Sequence, residues 1–395
     1  MRRAIQVAAA AVLLTGCAAP SFKATGQHSQ RRGAVERVEH LRGYSRLSLA
    51  AMLWWAKLPE RINVSDGIEL YRVTYWTEDR GRPIIASGLL SIPRGGGTFR
   101  GIVSYQHGTN PTRADAPSAP TLGEGVLGSA AFAGAGYLFL APDYPGLGVS
   151  TVAQPYLYSP TTVNSVIDLL RAARDVTNGL GRQWNPSVYL LGFSQGGHAT
   201  ANTQRALESL PDPALNVRAV ASVAGAYDLE RISVPFALQG ASTAHSLYLA
   251  FVARAYSEIY GQPIGSLMKP QYAQALPRLF DGTHSVEEIV AALPRMPREM
   301  FTPEFLADSA NGPAHWFQKA LEENEAYNWA PKAPLCMYYG DKDVDVSPED
   351  AKFATKYMAE RGGNVRLIPV GPYEHTESMY HALPKIRQWF DELSR

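Results

Sequence analysis

The stretch from Val188 to Leu210 most restricts what this chain can become. Val188-Tyr189-Leu190-Leu191 has strand character, and Ala199 to Leu210 carries a helical pattern. Between them stands Gly192-Phe193-Ser194-Gln195-Gly196-Gly197, a G-x-S-x-G sequence at a strand-to-helix turn. Such a turn is sharp, so glycines two residues either side of Ser194 let neighbouring backbone approach without a Cβ clash. It lifts the Ser194 hydroxyl above the carboxyl end of the strand. The free N–H groups of the following helix then favour an oxyanion there. Alone, G-x-S-x-G arises by chance fairly often. Bracketed by a strong strand and a helix, it points to a serine nucleophile.

Similar alternation runs along most of the chain. Short apolar, β-branched or aromatic runs lie near 69–76, 84–92, 101–106, 137–141, 187–192, 217–223, 334–339 and 365–370. Helical patterns such as 165–180, 199–210, 349–361 and 379–393 separate most of those after residue 100. About eight strands alternating with helices predict an α/β fold, a largely parallel sheet covered by helices on both faces. The alternation breaks between about 225 and 332, a segment rich in Leu, Tyr, Phe and Met with no convincing strand. It is expected to be a helical cap inserted into one α/β unit spanning 36–395. At 46% hydrophobic and 18% charged residues, the chain can bury a large core. Thirty-seven basic against thirty-six acidic side chains leave no excess to grip a phosphate backbone, so nucleic acid is not an expected partner.

A serine hydroxyl needs a base to take its proton, and the base needs a carboxylate to orient it. In α/β-hydrolases these follow in the order Ser, acid, His, on loops after later strands. The run Pro334 to Tyr339 leads into Gly340-Asp341-Lys342-Asp343-Val344-Asp345-Val346-Ser347-Pro348. This resembles the family's G-x-x-D-x-x-V acid loop, whose register selects Asp343, with Asp341 and Asp345 as flanking alternatives. The run Val365 to Val370 leads into Gly371-Pro372-Tyr373-Glu374-His375, which puts His375 where the general base belongs, with His381 as the alternative. His198 lies on the helix behind the elbow and is expected to be structural. The oxyanion needs two backbone N–H donors. Gln195, after the nucleophile, supplies one. The loop His107-Gly108-Thr109 after the strand Gly101 to Gln106 supplies the other, from Thr109.

These residues, with Pro142-Asp143-Tyr144-Pro145-Gly146-Leu147-Gly148 and Gly225-Ala226-Tyr227-Asp228-Leu229, carry a resemblance over about residues 69 to 395. The chain resembles the serine α/β-hydrolases, and within them the secretory lipases of bacteria and fungi. The resemblance implies hydrolysis of carboxylic esters, often lipids, with neither metal nor organic cofactor. Asp143 precedes Ser194 and is expected to be structural, and Tyr144 is a candidate for the substrate pocket. One departure stands out: many secreted members carry disulfides, and Cys17 and Cys336 cannot supply a disulfide framework. Cys336 reads as a small buried residue in a strand.

Met1-Arg2-Arg3 followed by the apolar run Ala4 to Leu14 has signal-peptide architecture, too short to span a bilayer. Leu13-Leu14-Thr15-Gly16-Cys17 resembles the lipobox of bacterial lipoproteins, which implies removal of residues 1–16 and lipidation of Cys17. Residues 17–35 would form the tether, and Ala18 after the cysteine points to the outer membrane in a Gram-negative cell. The dense apolar stretch Leu47 to Leu58 is expected to be a helix docked on the domain. The alternative is a tryptophan-rich helix resting on a membrane interface.

Gly123-Glu124-Gly125-Val126-Leu127-Gly128 matches G-x-G-x-x-G but follows a proline-containing loop where a dinucleotide site needs a strand. It reads as a loop before a helix. The sequence therefore predicts a membrane-tethered ester hydrolase acting on a small-molecule or lipid ester, with no protein partner inferred. The competing readings are another serine hydrolase activity (peptidase, thioesterase or acyltransferase) and a surface lipoprotein that kept the fold as a binding module.

Overall fold

In the computed structural model, residues 30–119, 123–311 and 315–395 are described, together with the backbone of Phe22–Lys23. The signal-peptide and lipidation expectations, and most of the tether, therefore lie outside the described residues.

Ten strands form one sheet: β1 (Phe22–Lys23), β2 (Val35–Tyr44), β3 (Ile68–Asp79), β4 (Arg82–Pro93), β5 (Ile102–Gln106), β6 (Leu138–Pro142), β7 (Ser187–Phe193), β8 (Asn216–Val223), β9 (Leu335–Gly340) and β10 (Val365–Gly371). Their order is β1-β2-β3-β4-β6-β5-β7-β8-β9-β10. The sheet is mixed. From β6 through β10 every pairing is parallel, whereas β1 to β4 are antiparallel to one another and β4 is antiparallel to β6. All eight expected runs are strands. The unanticipated strand of any length is β2, whose sequence VERVEHLRGY mixes charge with apolar residues and buries only Val38.

The central strands β5, β6 and β9 are buried at every position, as parallel strands covered on both faces must be. On one face, helices Ser159–Gly179, Gln195–Ser209 and Pro348–Glu360 join Leu90, Leu138, Leu190 and Met337 in one apolar cluster. On the other, helices Arg46–Trp55, Glu124–Phe132 and His375–Leu393 enclose Leu89, Val103, Leu191 and Cys336. The G-x-G-x-x-G stretch opens helix Glu124–Phe132, with Gly123 as its N-cap.

Between β8 and β9 the described residues form helices and turns, with an isolated bridge from Met268 to Phe301. They bury an apolar cluster of their own, including Phe251, Tyr256, Leu267, Met268, Met300, Phe301, Phe305 and Phe317. Among the described residues, no helix is long and apolar enough to cross a membrane.

Candidate active site

Ser194 joins β7 to helix Gln195–Ser209 with φ 57° and ψ −120°. A non-glycine residue avoids that backbone region unless its surroundings impose it. Here the Ser194 N–H donates to the Val223 carbonyl at 2.9 Å, and its own carbonyl accepts from Gly197 N–H at 2.8 Å. The flanking glycines are a steric requirement. A Cβ on Gly192 would stand 2.0 Å from the Gly196 carbonyl oxygen, and one on Gly196 would stand 1.8 Å from that of Gln106. The turn is thus closed against the end of β5, the strand that leads into His107-Gly108-Thr109.

The chain after β9 brings Asp343 to the same end of the sheet. One carboxylate oxygen accepts from the N–H groups of Asp345 and Val346, both at 2.9 Å, which fixes the side chain. The other lies 2.7 Å from Nδ1 of His375, the first residue of the last helix. Both partners are buried. An ionised carboxylate can only accept, so Nδ1 carries the proton and Nε2 presents its lone pair. That Nε2 is buried and has no hydrogen-bond partner among the described residues. The imidazole ring lies 4.7 Å from the ring of Phe193, the residue before Ser194. Burial alone would pull the His375 pKa down. The Asp343 charge and hydrogen bond outweigh it, so the group sits above the ordinary histidine value.

The alternatives are placed elsewhere. Asp341 is exposed. Asp345 accepts from the Ser242 hydroxyl, and its carbonyl lies 3.2 Å from His245 Nε2, so the segment after β8 is tied to the acid loop. His381 stacks on Tyr373 at 3.6 Å. His198 is buried, its Nε2 2.6 Å from the Asn324 carbonyl, and burial lowers its pKa to about 4. Asp143 accepts from Ser87 and Ser118 hydroxyls, both at 2.5 Å, and from Ser118 N–H at 2.8 Å, a set of bonds that ties the loops after β5 and β6 to strand β4.

Of the two expected amide donors, Gln195 follows Ser194 directly, and Thr109 follows Gly108, where a Cβ would stand 3.3 Å from the Phe193 ring. The loop that holds Thr109 is braced by residues the sequence did not single out for that task. Tyr144 is buried, its ring 4.1 Å from that of His107 and its hydroxyl donating to the His107 carbonyl at 3.3 Å. Tyr144 thus supports the His107-Gly108-Thr109 loop. The Thr109 hydroxyl is 2.8 Å from that of Tyr156. Tyr156 in turn stacks on Phe251 at 4.4 Å, and Phe251 on Phe280 at 4.4 Å. A stack of rings therefore connects the loop to the helices between β8 and β9. No local periodicity marks Tyr156, so nothing in the sequence could have selected it. Behind the elbow, the Ser222 hydroxyl donates to the Gly197 carbonyl at 3.0 Å and meets the Tyr227 hydroxyl at 2.7 Å.

A cavity of about 60 Å³ lies between Tyr105, Leu127, Phe193, Met379 and Tyr380, beneath the last helix. Neither Ser194 nor any residue between β8 and β9 lines it. Among the described residues, no three His, Cys, Asp or Glu side chains are grouped to hold a metal ion.

A strained serine elbow at the carboxyl ends of the parallel strands, with a buried Asp–His pair whose imidazole packs on Phe193 beside it and makes no hydrogen bond to Ser194, fits the fold of an α/β-hydrolase. Residues 126–393 match the secretory lipase family, so the chain belongs to that family and is an ester hydrolase of the lipase/esterase type. The family's secretory character points to an exported protein. Among solved structures, a Legionella pneumophila protein described as a hydrolase superimposes with a TM-score of 0.85 at 28% identity, covering 91% of this chain and 98% of its own. The rice cell wall degrading esterase LipA from Xanthomonas oryzae gives 0.78 at 27% identity, covering 92% and 98%. Lipase A of Candida antarctica in its closed state gives 0.67 at 15% identity, covering 92% and 84%, a likeness of fold alone. No curated protein matches the chain.

Proposed function

We propose that Ser194, His375 and Asp343 form a catalytic triad that hydrolyses carboxylic esters through an acyl-enzyme. The observation that carries this reading is the 2.7 Å Asp343–His375 bond, which leaves a buried Nε2 with no partner among the described residues on a ring 4.7 Å from that of Phe193. The Ser194 oxygen attacks the ester carbonyl carbon while its proton passes to His375 Nε2. The oxyanion is held by the amides of Gln195 and Thr109. As the tetrahedral intermediate collapses, the C–O bond to the alcohol breaks and the alcohol leaves with the proton from His375. Water, deprotonated by the same nitrogen, then attacks the acyl group and releases the acid and the serine. Asp343 stays ionised throughout and stabilises the imidazolium.

Residues 225–332 act in this reading as a cap that sets acyl-chain preference. Most of their aromatic residues pack within the cap, so the acyl site is its underside, and short to medium chains fit best. Cys17 is the lipid anchor, which holds the exported enzyme on the cell envelope. A fluorophosphonate probe should label the protein on Ser194, and Ser194→Ala should abolish both labelling and hydrolysis of p-nitrophenyl esters. Labelling that persists in the folded variant refutes the assignment. A kcat/KM series that stays flat with chain length refutes the acyl role of the cap.

A further inference from the structure

Helix Arg46–Trp55 is two-faced. Leu49 and Leu53 are buried in one cluster with Phe132 and Ala133, while Leu47, Trp54 and Trp55 are 75%, 70% and 72% exposed. Ala50 and Ala51 are exposed between them, so Leu47, Ala50 and Trp54 and, beside them, Ala51 and Trp55 share one apolar face. Arg46, Lys57 and Arg61 are exposed around it, with Glu60 among them. Two adjacent solvent-facing tryptophans with flanking cations suit the headgroup layer of an anionic bilayer, where an indole ring is half in lipid and half in water. The helix docking expected from sequence and the membrane-interface alternative are therefore not exclusive, because they use opposite faces.

The topology fixes which end of the molecule this helix occupies. Parallel strands β5 to β10 carry Ser194 and His375 at their carboxyl ends. In β4, Ser91 pairs with Phe139 near the start of β6 and Gly88 with Pro142 at its finish, so Pro93 lies at the amino end of the parallel strands. Pro93 pairs with Ile68, and Ile68 with Tyr44, the last residue of β2, one residue short of the helix N-cap Ser45. Helix Arg46–Trp55 thus starts at the end of the sheet opposite Ser194.

From these two observations we propose that the exposed face of helix Arg46–Trp55 rests in the headgroup layer of an anionic lipid bilayer, with the Ser194 end of the sheet turned away from it. The contact stands independently of the catalytic reading; the orientation of the active site rests on it. An enzyme held this way meets esters of the surrounding compartment in preference to the lipids beneath it.

The test uses the processed chain from residue 17 with Cys17→Ser, sedimented with vesicles of phosphatidylethanolamine and phosphatidylglycerol. The chain should bind, and Trp54→Ala with Trp55→Ala should weaken binding by about tenfold or more. Met296→Ser, an exposed apolar residue between β8 and β9, should leave binding unchanged. Both tryptophans are solvent-facing, so the double variant should keep its unfolding temperature and its hydrolysis of p-nitrophenyl butyrate. Vesicle-bound enzyme should hydrolyse that soluble ester at the free rate. The contact is overturned if the unsubstituted chain stays in the supernatant or the double variant binds equally. It is also overturned if light scattering without vesicles shows a dimer that the double variant lacks. Loss of soluble-ester hydrolysis on binding overturns the orientation. Absence of fatty acid on Cys17 in cells would remove the anchor alone, and an active Ser194→Ala would remove the catalytic reading and the orientation while leaving the contact.

Discussion

Asp343→Asn isolates what the buried carboxylate does. In the native protein one oxygen accepts two backbone N–H groups, which an asparagine carbonyl can still do, so the acid loop should keep its shape. The amide NH₂ then faces His375 Nδ1 where an acceptor stood. Nδ1 must present its lone pair, which moves the proton to Nε2, and the nitrogen facing the elbow can no longer take a proton from Ser194. Loss of the correct tautomer, and of the charge that stabilises the imidazolium, is worth a factor of about 10³–10⁴ in kcat, or roughly 4–5.5 kcal/mol. The pH profile carries a second signature. Catalysis needs neutral His375, so activity should rise with pH through a pKa held above the ordinary histidine value. In the variant, burial is opposed only by the more distant charges of Asp345 and Glu124, and the residual activity should rise at lower pH than in the parent. Steady-state kinetics on p-nitrophenyl butyrate across pH, with Asp341→Asn and Asp345→Asn beside it, decides the matter. A fall of less than tenfold for Asp343→Asn, or a larger fall for either neighbour, would refute the reasoning.

Tyr156→Phe removes the hydroxyl that meets Thr109 but keeps the ring stacked on Phe251, so kcat should fall about tenfold with KM little changed; stopped-assay kinetics showing a KM effect alone would contradict a positioning role. Asp350 is buried and its pKa is raised to about 7, chiefly by burial, against bonds from Ser233, Asp228 and Tyr227 and with Asp228 adding repulsion. Between about pH 4 and 7 the folded state therefore holds a proton that the unfolded chain has lost, so this group makes stability fall as pH rises through that window and level off above it. Asp350→Asn should flatten that fall in urea unfolding curves, by an amount on the order of a few kcal/mol.

The parts of the fold legible in the sequence were those whose burial is one-sided or complete. Strands β5, β6 and β9 are buried at every position, and such runs stand out whatever surrounds them. β2 was hidden because it lies near the sheet edge with eight of its ten residues partly exposed, so its side chains carry no period of two. The mixed character of the sheet had a different cause. β3 and β4 were recognised as strands, but direction is set by the two-residue turn at Arg80 and Gly81, both at positive φ, and not by side-chain pattern. Helix Ser159–Gly179 began six residues earlier than its apolar pattern, since Pro160 in the first turn needs no hydrogen-bond donor there.

The candidate site divides along a similar line. The Asp343–His375 pairing was readable because each residue follows within a few positions of a strand end, and chain order limits which acid and which histidine can follow the Ser194 turn. What holds them was not readable, because it consists of single contacts between segments distant in sequence. Tyr144 beneath His107, Tyr156 on Thr109 and His245 on the Asp345 carbonyl each join a loop to a partner far along the chain. These contacts tie both the His107-Gly108-Thr109 loop and the loop after β9 to their surroundings, and two of the three lead to the segment between β8 and β9. That segment was inferred as a cap from its surplus length and apolar content. Its hydrogen bond to the acid loop and its ring stack to Thr109 make it a support for both sides of the elbow as well. A shortened cap should therefore lose turnover as well as chain-length preference, because removing it unties the two loops on which the chemistry depends.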